Sequence, residues 1–141
     1  MLTPEQKQRI LTATGHSVWP YQEFDLPRSF FLCRNDVSLG QGFYPTELAA
    51  WDSWEPDANW CFREALPHLL KKGLYEFSLN GPYDEGWDAC FTFRQKRLND
   101  DSNIHPYSYE DINGRGESIE LAICTAFDTY LLERNPNDRN R

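Results

Sequence analysis

Leu74-Tyr75-Glu76-Phe77-Ser78-Leu79 and Trp87-Asp88-Ala89-Cys90-Phe91-Thr92-Phe93-Arg94 flank a turn at Asn80-Gly81-Pro82-Tyr83-Asp84-Glu85-Gly86. On the first arm Tyr75, Phe77 and Leu79 alternate with Leu74, Glu76 and Ser78. On the second, Trp87, Ala89, Phe91 and Phe93 alternate with Asp88, Cys90, Thr92 and Arg94. Alternation on both sides of a Gly/Pro turn specifies an antiparallel hairpin with one buried face. That face needs a cover, and the C-terminal stretch supplies it. Ile119, Ala122, Ile123, Ala126, Phe127, Tyr130 and Leu131 fall on one stripe of a helix.

The same reasoning extends towards the N-terminus. Thr3, Pro4 and Gln6 make a capping box with proline at the first helical position, and Gly15 suits the stop. Phe30-Phe31-Leu32-Cys33 reads as a strand, and Pro20 and Pro27 exclude a helix around it. Tyr44 to Trp51 suits a short helix. Asp57 can cap a second piece running to Lys72-Gly73, with a kink or break expected at Pro67. Residues 95–117 read as a long polar loop. Together these segments predict an α+β fold: an antiparallel sheet of roughly four strands with three helical segments packed on it. A single domain is expected over residues 1–134, with 135–141 a frayed polar tail.

Composition bounds the function. Lys and Arg number 14 against 22 Asp and Glu, so the chain of 141 residues carries a net charge of −8. An acidic surface repels phosphate, which argues against direct nucleic-acid binding. Aromatics at 15% argue against disorder. The first residues lack an apolar signal core, and no apolar run is long enough to span a membrane, so no membrane partner and a cytoplasmic location are expected. Cys33, Cys61, Cys90 and Cys124 form no Cys-x-x-Cys pair and read as free thiols without metal. His16, His68 and His105 have no zinc-ligand spacing, and no serine elbow occurs. Without a recognisable catalytic set the reading is non-enzymatic, with no cofactor.

Two groups of residues remain as binding candidates. Trp51, Asp52, Trp54, Glu55 and Asp57 interleave indoles with carboxylates, a pattern suited to a basic protein partner if the rings are exposed. Trp60 belongs to the same stretch, but helical spacing turns it inward. Arg94, Arg97 and Arg115 are candidates for an anion, and Gly114-Arg115-Gly116 reads as a flexible entry to the last helix.

Residues 43–132 resemble the phage ABA-sandwich family of small phage and prophage proteins. The resemblance rests on Tyr44-Pro45-Thr46-Glu47-Leu48, the helix end at Lys72-Gly73, the hairpin, and Ala122, Ile123, Cys124 and Ala126 in the last helix. Residues 52–56, Pro67 and the loop at 95–117 depart from the pattern. The family carries no established activity to transfer. The resemblance implies a phage-type accessory protein that binds a host or defence component, with acidic DNA mimicry as its stronger form. Two other readings stand beside it. One is a small-ligand sponge or sensor, in which Trp54 or Tyr107 stacks a nucleotide base and an arginine holds its phosphate. The other is an immunity or antitoxin-like inhibitor.

Overall fold

The computed structural model describes residues 1–34, 37–38, 42–84, 86–96 and 106–134. Arg97, His105 and the tail at 135–141 lie outside the described residues. The fold is α+β, and every strand pairing is antiparallel. The strands fall into two sheets of three, one in each of two compact units, Met1–Glu55 and Pro56–Arg141.

The first unit comprises α1 (Pro4–Ala13), β1 (His16–Tyr21), β2 (Ser29–Arg34), β3 (Val37–Ser38) and α2 (Glu47–Asp52). The capping box of α1 is closed: the Gln6 amide donates to Thr3 Oγ1 at 3.2 Å, and the Thr3 amide donates to Gln6 Oε1 at 2.8 Å. Two orphan amides of the first turn are thereby satisfied. Leu11 from α1, Leu32 from β2 and Trp51 from α2 form the core, with Val18 and Trp54 packed against it. Val18 and Leu32 are register partners, so this face of the hairpin looks into the unit.

The second unit begins with α3 (Ala58–Trp60), a π-helical segment (Cys61–Ala65) and α4 (Leu66–Lys71). Asp57 caps the first piece, its carboxylate accepting the Trp60 amide at 2.7 Å. Pro67 stands in the first turn of α4, where its missing amide is harmless. The wide turn just before it relieves the clash a proline makes with the carbonyl four residues back. The irregularity expected at Pro67 is therefore present, one turn early.

Then come β4 (Leu74–Tyr83), β5 (Gly86–Lys96), β6 (Tyr107–Gly116) and α5 (Ile119–Arg134). Phe77 faces Phe91, Leu79 faces Ala89, and Ile112 faces Phe91 from the far side, all on the face that α5 covers. Ala122, Ile123, Ala126, Phe127 and Tyr130 of the helical stripe are buried, as are Cys124 and Asp128. Phe93 stacks on Tyr130 with ring centroids 4.8 Å apart.

Two readings of the sequence need correction. Residues 107–116 are a strand rather than part of a polar loop. The positions that β6 turns towards α5 are Glu110, Ile112, Gly114 and Gly116, so apolar alternation is nearly absent. Its glycines are close-approach positions, not a flexible entry. A methyl on Gly114 would lie on the Ala126 amide and 2.6 Å from the Ala122 carbonyl, and one on Gly116 would lie 2.5 Å from the Ala122 amide. The second correction concerns Tyr75, which simple alternation groups with Phe77 and Leu79. A register shift between Leu74 and Glu76 turns Leu74 inward and leaves Tyr75 54% exposed.

Candidate functional site

The acidic tryptophan stretch is largely occupied by its own unit. Trp51 is 6% exposed and belongs to the core, and half-buried Trp54 packs against that core. Asp52 and Glu55 converge on Lys7, a lysine only 2% exposed. Its Nζ donates to the Asp52 carbonyl at 2.9 Å, to Asp52 Oδ1 at 3.2 Å and to Glu55 Oε1 at 3.1 Å. A buried ammonium requires such partners, and here it also ties the end of α2 to α1. Asp57 is a helix cap, and Trp60 is buried at the start of the second unit.

The two described arginines of the anion set do not converge. Arg94 pairs in register with Tyr109, and Arg115 pairs with Asp88. Asp88 and Arg94 are six positions apart on β5, about 20 Å of strand. Arg115 Nε donates to Asp88 Oδ1 at 2.7 Å and its Nη2 to Oδ2 at 3.3 Å, a two-pronged pair. The Arg115 hydrogen bond holds the Asp88 carboxyl below its ordinary value. Beside the pair, Asn80, Cys90, Asn113 and Gly114 help line a shallow depression of about 450 Å³. Arg94 is placed differently, between the Tyr75 and Tyr107 rings, with its guanidinium carbon 4.5 and 4.4 Å from their centroids.

None of the four cysteines is in a disulfide; Cys33, Cys61 and Cys124 are buried and Cys90 is half-buried. A hydrogen bond with Cys61, then burial, pushes the Cys124 thiol up and keeps it protonated. Among the described residues no three His, Cys, Asp or Glu side chains group as metal ligands. His68 packs edge-on to Phe127 at 5.7 Å, and burial, then Lys72 and Lys71, hold its pKa below the ordinary value.

A further surface was not singled out in the sequence. The outward face of the β1–β2 hairpin presents Trp19 opposite Phe31 and Tyr21 opposite Ser29. Phe43 packs across it, 5.1 Å from Tyr21 and 5.6 Å from Phe31 by ring centroids. At the tip, the Leu26 amide closes a turn onto the Glu23 carbonyl at 2.9 Å. Phe24 within that turn has φ +42° and is 95% exposed. A bulky side chain in the left-handed region costs about 1–2 kcal/mol, and here nothing in its own fold covers the ring. Leu26 is exposed beside it, and Glu23 and Asp25 flank it in sequence. The legible signal was aromatic density from Trp19 to Phe43 together with a phenylalanine between two acids.

No family model, no curated protein and no solved structure matches this chain.

Proposed function

We propose that the chain is a non-enzymatic binding protein that engages a protein partner through the aromatic hairpin of its first unit. The observation that carries this reading is Phe24, a fully presented aromatic ring held at a positive φ. Backbone strain that gives the fold no contact in return is characteristic of sites that act on something else. Trp19, Tyr21 and Phe43 extend the apolar surface behind the tip, and aromatic anchors of this kind dominate protein interfaces. Glu23 and Asp25 at the tip, and the charge of −8, suit a partner whose apolar pocket is edged by Lys or Arg. The resemblance of residues 43–132 to phage ABA-sandwich proteins supports a phage-type accessory role, with a host or defence component as the partner. The acidic stretch at 51–57 contributes the scaffold instead: its carboxylates hold Lys7 and cap α3.

Phe24→Gly separates function from stability. Glycine relieves the positive φ, so the urea midpoint should stay level or rise. Capture of the partner from lysate, quantified against wild type and repeated with the purified pair, should fall about tenfold or more because the anchor is gone. A variant that captures the same proteins in the same amounts would refute the assignment.

A further inference from the structure

We infer that the outward face of the second unit's sheet holds a site for a nucleoside phosphate, formed by Tyr75, Arg94, Tyr107 and Tyr109. This is separate from the protein-binding reading and rests on other residues. Tyr75 comes from β4, Arg94 from the central strand β5, and the other two from β6. The bulge between Leu74 and Glu76 turns Tyr75 onto this face. Its ring then lies 5.8 Å from that of Tyr109, and the two are 54% and 57% exposed. A bulge that re-aims an aromatic side chain to solvent gives up burial, and such features recur beside functional sites.

Arg94 supplies the second half of the argument. Its guanidinium is held against two tyrosine rings, yet among the described residues no carboxylate or hydrogen-bond acceptor is paired with it. By contrast, Arg115 on the same sheet has Asp88 and Arg134 has Glu110. A guanidinium that is oriented by two rings and has no counter-ion among the described residues leaves its N–H edge for an incoming oxyanion. Lys96, in register with Tyr107, adds a second positive charge. An anion beside exposed aromatic faces is the chemistry of a base with its phosphate: the ring stacks on tyrosine and the phosphate meets the arginine. The ligand is small rather than a strand. Beyond Arg94 the face carries Glu76 and Asp111, which repel a continuing phosphate backbone.

The test is titration of the full chain with adenosine 5′-monophosphate and guanosine 5′-monophosphate, followed by calorimetry and by NMR of the tyrosine rings. Inorganic phosphate, adenosine and a twelve-residue oligothymidylate are the comparison probes. At least one monophosphate should bind saturably and shift the rings of Tyr75, Tyr107 and Tyr109. Phosphate alone and adenosine alone should each bind at least about tenfold more weakly, since each uses one half of the site. Arg94→Gln and Tyr75→Leu should each lower the affinity about tenfold, while Tyr107→Phe, which keeps the ring, should retain it. No saturable binding by wild type at millimolar monophosphate would overturn the inference. So would binding that Arg94→Gln and Tyr75→Leu leave unchanged, or tighter binding of the oligonucleotide than of the monophosphates.

Discussion

Single side chains explain why two elements of the first unit stay together. Lys7 is buried while its partners Asp52 and Glu55 are 53% and 72% exposed, so the ion pairs are asymmetric. Charged hydrogen bonds contribute about 1.5–3 kcal/mol each where water is excluded, and less where one partner is exposed. Lys7→Met keeps the apolar stem and should lower stability by about 1–2 kcal/mol in urea titration. Asp52→Asn with Glu55→Gln leaves the ammonium buried without its anions and should cost more than Lys7→Met. Equal midpoints for all three proteins would show that Lys7 is held by its stem alone. His68 gives a pH prediction of definite sign. Its folded pKa lies below the ordinary 6.5, so the unfolded chain binds the proton more readily. Its contribution is complete above pH 6.5 and is lost as pH falls through the folded value. Wild type should therefore lose stability below pH 6.5 more steeply than His68→Gln, as followed by thermal melts. Parallel curves would remove His68 from the account.

At the scale of elements, the contact of α5 with β6 is made backbone to backbone. Gly114 is the position to test, because a Cβ there meets the Ala126 amide and the Ala122 carbonyl. Gly114→Ala should lower stability by about 1–3 kcal/mol or more, since neither the strand nor the helix can shift without unpacking the other. Gly42→Ala, where a Cβ meets nothing within 4 Å, carries only the cost of its positive φ and serves as the comparison. A loss no larger at Gly114 would contradict the close approach. The same contact marks where sequence reading stops. The α1 cap, the β4–β5 hairpin and the α5 stripe were legible because each signal is local and repeats with the element's own period. Strand β6 was not legible, because it packs glycines where alternation requires side chains. Tyr75 was misplaced because a bulge shifts the register by one residue and nothing in the local composition marks it. The burial of Lys7 depends on partners 45 and 48 residues away, which no local pattern reveals.

For the whole molecule, the hairpin of the first unit exposes more aromatic surface than the tryptophan stretch that the sequence singles out. In the tryptophan-rich acidic stretch, Trp51 is buried in the core, Asp57 caps a helix, and Asp52 and Glu55 hold Lys7 while staying 53% and 72% exposed. The surface we propose for a partner is the aromatic hairpin, whose tip projects Phe24, 95% exposed, at a positive φ. No described helix is long and apolar enough to cross a membrane. The most direct measurement replaces Phe24 with the photo-crosslinking residue benzoylphenylalanine and irradiates cells that express the full chain. The same residue at exposed Tyr83 serves as the control. The account predicts a discrete heterologous protein joined at position 24, absent with the probe at position 83, and diminished when Trp19 and Tyr21 are both changed to Ser. Diffuse labelling that is the same from both positions, or no crosslinked protein at all, would contradict the claim that the hairpin tip is a docking surface.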